Sequence, residues 1–139
     1  MKNLIYKKSI YIAKPIGSHK RLINKEDLTC LQINDEYIKY GKSDNTAKRK
    51  KDYEFDNDGN IEFYSVVNCE ALTLKQLQIL ETNIGRIERV RKYRVSNPIH
   101  PPERKRQRIT EWCKNLDAEI LREVILEEFE KFMDQLNNE

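Results

Sequence analysis

The sequence predicts an α+β fold, in which short strands and helices alternate along the first two thirds of the chain and helices follow. Short β-branched and aromatic runs bounded by Pro, Gly, Asn and Asp indicate the strands. Apolar residues at spacings of three and four indicate amphipathic helices. The chain has 139 residues, of which 38% are hydrophobic and 35% charged. That length and composition support one compact core with a densely charged surface, and two full domains are not expected.

The first half of the chain predicts three extended segments and one helix. Residues 10–13 form a β-branched and aromatic run that ends near Pro15 and Gly17, which predicts the first strand. Residues 28–33 and 37–40 surround a polar turn and predict a hairpin. Good helix N-caps at positions 44–46 then predict a short helix. Helical spacing places Arg49 and Tyr53 of this helix on one face.

The clearest local signal is the start of the next helix, which follows a strong strand candidate at residues 61–67. Thr73 and Gln76 match a capping box, and Leu72 and Leu77 are placed to form a hydrophobic staple. The apolar stripe of this helix continues through Leu80, Ile84 and Ile87. Glu81 lies at the margin of that stripe rather than on the fully solvated side.

The C-terminal part of the chain is predicted to be helical from about residue 111 to residue 136, with either Asn115 or Asp117 capping a second helix within it. The apolar positions that support this prediction are Trp112, Leu116, Ile120, Val124, Phe129, Phe132 and Leu136.

Charge is strongly segregated along the chain, although the net charge is only +3. Residues 86–108 contain 9 basic and 2 acidic side chains, whereas residues 109–139 contain 3 and 9. A basic stretch of this kind favours a polyanionic partner, because each phosphate contact releases counterions. The alternative is a solvated linker neutralised by the acidic tail, and charge alone supports both interpretations equally.

The sequence lacks the features of several other classes of protein. No run approaches the roughly 18 apolar residues that span a bilayer, and the N-terminus lacks the apolar run of a signal peptide. An intracellular location, cytoplasmic or nuclear, is therefore expected. Cys30, Cys69 and Cys113 are too far apart for a typical zinc site or a disulfide framework, so we expect buried or inactive thiols.

The order of these features resembles the GIY-YIG endonuclease family. In that family a Gly-Ile-Tyr strand pairs with a Tyr-Ile-Gly strand, a catalytic arginine follows on a helix, and a metal-binding glutamate lies on a later helix. Here Ser9-Ile10-Tyr11 matches the first motif, and Lys39-Tyr40-Gly41, continued by Lys42 and Ser43, matches the second. Arg49, Tyr53 and Glu81 occupy the other places. The resemblance covers residues from about 9 to 90.

The chain departs from the family pattern at three points. Ser9 stands where the first glycine is expected, and Lys39 stands where the second motif begins with tyrosine. The separation between Tyr11 and Lys39 is also longer than usual, which implies an inserted loop at about residues 19–27.

The resemblance implies a small, mainly antiparallel three-stranded sheet flanked by helices, with a C-terminal helical extension. The nuclease domain would span residues 1–92, and residues 93–139 would form a basic linker and an acidic amphipathic helix. The implied activity is metal-dependent hydrolysis of phosphodiester bonds, with DNA as the expected substrate. The implied catalytic residues are Tyr11, Lys39, Tyr40, Arg49, Tyr53 and Glu81.

Each implied role has a chemical reason. A guanidinium at Arg49 would stabilise negative charge that accumulates on the phosphate in the transition state. Glu81 would hold one Mg²⁺ or Mn²⁺ ion, with Glu70 and Glu88 as the reserve carboxylates. Tyr11, assisted by Lys39 or Tyr40, would activate water only if neighbouring cations lowered its pKa, and would otherwise position it. The expected nucleic-acid-binding residues are Lys42, Lys48, Lys50, Lys51, Arg86, Arg89, Arg91, Lys92 and Arg94.

Simpler interpretations accompany these roles. Arg49 lies in a basic run typical of a solvated helix face, Glu81 fits an ordinary amphipathic helix, and Tyr11 fits the core of a strand. One alternative function is a catalytically inactive nucleic-acid-binding module on the same fold. Another is a homodimer formed through the C-terminal helical region, which would be compatible with nuclease activity.

Overall fold

The computed structural model describes residues 4–17, 19–24, 29–33, 35–56, 59–96 and 109–138. Seven strands and four helices lie within these residues. In chain order they are β1 (Ser9–Pro15), β2 (His19–Asn24), β3 (Thr29–Ile33), β4 (Tyr37–Ser43), α1 (Thr46–Asp56), β5 (Ile61–Asn68), α2 (Leu74–Arg86), α3 (Glu88–Arg91), β6 (Arg94–Ser96), β7 (Ile109–Lys114) and α4 (Ala118–Asn137). The predicted α+β class is confirmed.

The central sheet has five antiparallel strands in the order β5-β1-β4-β7-β6. The three strands β5, β1 and β4 are the ones that local sequence patterns predicted, and β1 lies between the other two. The expected count of three was wrong, because β7 pairs with β4 and β6 pairs with β7. These two strands come from residues 93–139, so the predicted boundary at residue 92 does not separate them from the sheet.

The strands β2 (His19–Asn24) and β3 (Thr29–Ile33) pair as a two-stranded antiparallel ribbon. The hairpin predicted between residues 28–33 and 37–40 was therefore wrong, since β3 pairs with the preceding strand and β4 belongs to the central sheet. The expected inserted loop is, in its described part, a β-ribbon. The polar sequence of β2 does not show a pattern that predicts a strand. Its backbone N–H and C=O groups form their hydrogen bonds by pairing with β3.

One face of the central sheet packs against α2 and α4 and forms the larger core. Ile10, Ile12 and Ile38 contribute from the strands, and the predicted stripe of α2 contributes Leu77, Leu80 and Ile84. The predicted capping box of α2 is confirmed, because the Thr73 side chain accepts from the Gln76 amide at 3.1 Å and the Gln76 side chain accepts from the Thr73 amide at 2.9 Å. Two of the otherwise unpaired donors at the start of α2 are thereby satisfied.

The C-terminal helix begins later than predicted. Trp112 lies in β7, and α4 starts at Ala118 after Asp117, whose side chain caps it by accepting from the Glu119 amide at 2.7 Å. Asn115, with φ of 63°, separates the strand from the helix, and asparagine tolerates this left-handed conformation better than most residues. None of the described helices is both long and apolar enough to cross a bilayer.

α4 packs its apolar stripe against the core of its own chain. Leu121, Val124, Ile125 and Phe132 are buried there with side chains of α2 and the sheet. The predicted apolar stripe of the C-terminal helix is therefore used, at these positions, within the chain.

The other face of the sheet packs against α1 and carries a smaller, mainly aromatic cluster. Its buried members are Tyr11, Ala13, Tyr53, Ile61, Phe63 and Trp112. Tyr53 comes from α1 and the rest come from the strands. Residues 9, 11, 39, 41 and 43 face this side, because side chains alternate along a strand. This face, and the edge of β4 beside it, position the candidate site.

Candidate functional site

Tyr11 of β1 lies directly across Gly41 of β4. The two residues are register partners, and the tyrosine ring crosses the β4 backbone at the glycine. A Cβ atom at position 41 would lie 2.6 Å from Tyr11 Cζ and 3.1 Å from Cε2, which is closer than packed atoms approach. The glycine of the second motif therefore has a physical function, since it makes room for the tyrosine of the first motif.

Tyr11 also contacts the helix that carries Arg49. Its hydroxyl lies 3.3 Å from the hydroxyl of Tyr53, and both side chains are 2% exposed. The ring of Phe63 stacks on Tyr11 with centroids 4.6 Å apart. Because Tyr53 lies one helical turn after Arg49, this contact turns the face of α1 that carries both residues toward the Tyr11–Gly41 pair.

Ser9, which departs from the expected glycine, belongs to a buried chain of hydroxyls. Its Oγ lies 2.8 Å from Thr46 Oγ1 and accepts from Ser65 Oγ at 2.9 Å. Thr46 also donates to the carbonyl of Lys7 at 3.1 Å. The hydroxyls link β1, β5 and the first residue of α1, so Ser9 fixes the helix that carries Arg49.

Lys39, the second departure, lies on the same face as Tyr11. Its Nζ lies 5.4 Å from the centroid of the Tyr53 ring and 5.8 Å from that of Trp112. Both are cation–π distances. The ammonium group therefore belongs to the aromatic cluster on the α1 side of the sheet.

Tyr40 points to the opposite face from Lys39 and Tyr11, as alternation along β4 requires. It is 1% exposed within the larger core and lies against Gly85 of α2. The sequence could not distinguish Lys39 from Tyr40 as a partner of Tyr11. The structure places Lys39 with Tyr11 and places Tyr40 on the α2 side of the sheet.

Glu81 of α2 reaches the edge of β4. Its Oε2 accepts a hydrogen bond of 2.8 Å from the backbone amide of Lys42. β7 pairs with β4 from Tyr37 to Lys39, and beyond that segment the carboxylate binds the strand edge. Glu81 is half-buried. Because Lys42 follows Gly41 directly, this bond places the carboxylate close to the Tyr11–Gly41 pair.

An open cavity of about 300 Å³ lies where β4, α1 and α2 meet, and we call it the first cavity. Its lining residues are Lys42, Ser43, Asp44, Arg49, Leu74, Leu77 and Gln78. Arg49 is exposed at this cavity. The first cavity therefore presents the cationic side chains of Lys42 and Arg49 together with the carboxylate of Asp44. The Lys42 amide links this cavity to Glu81.

The electrostatic environment of Tyr11 reports the same proximity. Burial raises the pKa of Tyr11 well above its ordinary value, and the neighbouring Tyr53 adds to the increase. The Arg49 guanidinium lowers the pKa of Tyr11, whereas the Glu81 carboxylate raises it. The hydroxyl is therefore protonated at neutral pH, and it can position other groups but cannot act as a general base there.

The donor set fits a magnesium-type ion that is held by a single carboxylate. Among the described residues no three His, Cys, Asp or Glu side chains come together as a metal-binding group. Mg²⁺ commonly keeps several waters and is bound by one or two carboxylates plus substrate phosphate oxygens. Glu81 supplies such a carboxylate beside the cationic first cavity. Zinc, which takes four protein ligands in structural sites and three in catalytic sites, fits less well.

The predicted nucleic-acid-binding residues fall into separate groups. Lys48 and Lys51 are exposed on α1, whereas Lys50 pairs with Glu54 at 4.0 Å. Lys92 lies 5.2 Å from the ring centroid of Tyr93.

Beyond α2 the arginines differ in their surroundings. Arg89 pairs with Glu127 of α4 at 2.6 Å and with Glu123 at 3.8 Å, and Arg91 pairs with Glu88 at 2.7 Å. The acidic tail therefore neutralises part of the basic stretch. Arg86 and Arg94 line a second cavity together with Glu81. The remaining basic residues, at positions 104–108, lie outside the described residues.

Two residues near the site were missed by sequence reasoning. Gly85 lies within the last turn of α2, under Tyr40 and Arg94, and a glycine inside a strong helix pattern was the available signal. Gln78 lines both cavities, but nothing in its sequence context distinguished it.

Cys69 and Cys113 are buried free thiols as predicted, and burial raises the pKa of Cys69 to about 11. The side chain of Cys30 lies outside the described part of the chain.

Comparison with family models, with curated proteins and with solved structures finds no match to this chain.

Proposed function

We propose that this chain is a metal-dependent endonuclease of the GIY-YIG type, which hydrolyses phosphodiester bonds of DNA. The proposal is supported by one continuous set of contacts. These contacts run from α1 through the Tyr53–Tyr11 hydroxyl pair to Gly41, and from Lys42 to the carboxylate of Glu81. The guanidinium and the carboxylate that the motif order singled out thus border the same end of β4.

Arg49 is the group that would stabilise the transition state. It is exposed at the first cavity, where Lys42 provides a second positive charge. A phosphodiester under attack accumulates negative charge on its oxygens, and a fixed guanidinium donates in a fork geometry that matches them. Lys42 and Arg49 would therefore bind the scissile phosphate between α1 and the end of β4.

Glu81 would hold the metal ion. The Lys42 amide orients the carboxylate by binding Oε2, as partners of metal ligands commonly do. When bound, a Mg²⁺ ion supplies Lewis-acid stabilisation of charge on the leaving oxygen.

Tyr11 would act as a positioning residue. Its hydroxyl is protonated and nearly covered by protein, and it interacts electrostatically with both Arg49 and Glu81. We infer that this fixed dipole, with Tyr53, holds the two charged groups at their working separation. The ammonium group of Lys39 stabilises the position of the Tyr53 ring through a cation–π contact. The buried hydroxyls of Ser9, Thr46 and Ser65 fix the start of α1.

A second candidate is a nucleic-acid-binding module without catalysis. Two observations favour it. The ammonium of Lys39, at the tyrosine position of the motif, is directed toward Tyr53 and Trp112, and Tyr11 is 2% exposed. Both reduce the number of groups that can touch an attacking water. Salt-dependent DNA binding without metal-dependent cutting would select this candidate.

The deciding experiment is cleavage of supercoiled plasmid DNA with Mg²⁺ or Mn²⁺ and with EDTA. We expect metal-dependent cutting by the wild type, and a loss of about 100-fold to 1,000-fold in rate for Arg49→Ala, the size observed when one transition-state donor is removed. Glu81→Gln should be similarly impaired, with an altered metal dependence. Matched controls are Lys131→Ala, an exposed lysine on α4, and Glu62→Gln, an exposed carboxylate on β5.

All four variants should unfold cooperatively near the wild-type temperature, because each changed side chain is at least partly exposed. If the wild type cuts DNA and both Arg49→Ala and Glu81→Gln cut it at the same rate, these residues do not form the active site. Wild-type protein that binds DNA but never cuts it would support the second candidate.

A further inference from the structure

A second cavity of about 140 Å³ adjoins the first along α2. Its lining residues are Tyr40, Gln78, Glu81, Thr82, Arg86 and Arg94. Gln78 also lines the first cavity, and Glu81 connects to it through the Lys42 amide. The two cavities are therefore neighbours along one groove, with the carboxylate between their cationic groups.

Arg94 has a fixed place in this second cavity. It comes from β6, and its Nη1 donates to the carbonyl of Gly85 at 3.2 Å. A Cβ atom at position 85 would lie 2.7 Å from the same Nη1. Glycine inside a helix costs about 1 kcal/mol relative to alanine, so its presence in α2 is explained by the close approach of Arg94 and Tyr40.

Arg86 approaches the same cavity from the last turn of α2. Helical side chains lean toward the N-terminus of their helix, which directs Arg86 toward Thr82 and Glu81. Its surroundings differ from those of Arg89 and Arg91, whose guanidinium groups pair with glutamates outside this cavity. Two guanidinium groups and one carboxylate leave the second cavity with a net positive charge.

We infer that Arg86 and Arg94 form a second phosphate subsite, which binds the phosphate next to the scissile one on the same DNA strand. The inference rests on the proposed function, because that function assigns the scissile phosphate to Lys42 and Arg49. Gln78 lines both cavities, so the two phosphates would bind on either side of this residue, as neighbouring phosphates of one strand would. Guanidinium groups suit this ligand because their planar forks match phosphate oxygens.

The test uses small probes that need no recognition sequence. Thymidine 3′,5′-bisphosphate carries two phosphates on one nucleoside and can occupy both cavities. Thymidine 5′-monophosphate can occupy one, and thymidine 5′-diphosphate carries its two phosphates too close together to bridge them. Dissociation constants are measured by NMR titration of the full chain without metal, so that neither metal binding nor cutting enters the result.

We expect the bisphosphate to bind about tenfold more tightly than either other probe, the gain of one good charge-assisted contact. Arg86→Gln should abolish that preference, and Gly85→Ala should weaken it by displacing Arg94 without removing a charge. Arg122→Gln, on α4 and lining a different cavity, is the matched control and should keep the preference. With long duplex DNA, Arg86→Gln should reduce the slope of log affinity against log salt by about one.

The subsite is excluded if the wild type shows no preference for the bisphosphate, or if Arg86→Gln keeps the preference, or if Arg122→Gln loses it equally. Melting curves of each variant check that the fold is retained. A wild type that prefers the bisphosphate but cuts no DNA would remove the proposed nuclease activity and leave the subsite standing. A wild type that cuts DNA but shows no preference for the bisphosphate would exclude the subsite and leave the proposed nuclease activity standing.

Discussion

The two faces of the central sheet are stabilised in different ways. The face toward α2 and α4 buries a large, mainly aliphatic core, whose stabilisation follows from the apolar area removed from water. The face toward α1 buries two tyrosine rings and one phenylalanine ring, those of Tyr11, Tyr53 and Phe63, which contact one another. The buried polar side chains of the described residues, Ser9, Ser43, Thr46 and Ser65, lie on this second side as well. Buried hydroxyls cost free energy unless they are hydrogen-bonded. Here Ser9 bonds to Thr46 and Ser65, and Ser43 accepts from the backbone amide of Asn45.

The comparison separates the source of stability from the source of geometry. The aliphatic core tolerates small shifts, because apolar contacts are not directional. The aromatic and hydroxyl face depends on particular contacts, since Tyr11 must cross Gly41 and Ser9 must reach both Thr46 and Ser65. Accordingly the candidate site brings Arg49 of α1 and Glu81 of α2 to the end of β4, while α4 holds the sheet in place.

The largest expected effect on stability is in the aliphatic core. Leu80 is fully buried between α2 and the sheet, so Leu80→Ala should lower the free energy of unfolding by about 2–5 kcal/mol through lost transfer energy and the cavity left behind. Urea denaturation followed by circular dichroism measures it. Ile79→Ala, at a neighbouring position that is 43% exposed, should change stability by about 0.5 kcal/mol or less. Equal losses in the two variants would contradict the assigned packing of α2.

An intermediate effect is expected where Tyr11 crosses β4. Gly41→Ala places a methyl group against the tyrosine ring, and overpacking of this kind costs about 1–3 kcal/mol. In a Tyr11→Leu background the shorter side chain leaves room for the methyl group, so the added cost of Gly41→Ala should largely disappear. The measurement is a double-mutant cycle of unfolding free energies. Additive losses would show that the ring and the glycine are not in contact.

Most elements near the site could be predicted, because their signals are local. The caps of α1 and α2, the strands β1 and β5 and the first half of β4 each show a pattern within about ten residues. β2, β6 and β7 could not be predicted in this way, because their pairing partners are distant in sequence or lie in a polar ribbon. Trp112 was predicted to be helical because it precedes Leu116 by four residues. Two apolar residues at that spacing also occur where a strand is followed by a turn, so the spacing alone does not identify a helix.

The candidate site shows the same limit. The residue types and their order along the chain were available from the sequence, but their grouping in space depended on strand register. Register separates Lys39 from Tyr40. The packing of α4 brings Glu127 to Arg89, whereas Arg86 and Arg94 line the second cavity. Neither distinction has a local signal.

The smallest expected effect concerns the proton on Tyr11. Burial, with Tyr53 and Glu81, raises the pKa of Tyr11 well above its ordinary value, and Arg49 opposes this only in part. Above pH 10 the unfolded chain therefore loses a proton that the folded chain keeps, and the free energy of unfolding falls with pH. One such group contributes a slope of about 1.4 kcal/mol per pH unit. Below pH 10 its contribution is constant.

Tyr11→Phe removes this titrating group together with the hydrogen bond to Tyr53. The variant should be less stable than the wild type at pH 8, but its stability should fall less steeply between pH 10 and pH 11, so that the difference narrows. Urea denaturation at intervals of half a pH unit gives both slopes. Tyr64, whose pKa burial also raises, titrates in both proteins and cancels from the difference. A constant difference across this range would mean that the Tyr11 hydroxyl ionises as readily in the folded chain as in the unfolded one. Its part in holding Arg49 and Glu81 would then need another explanation.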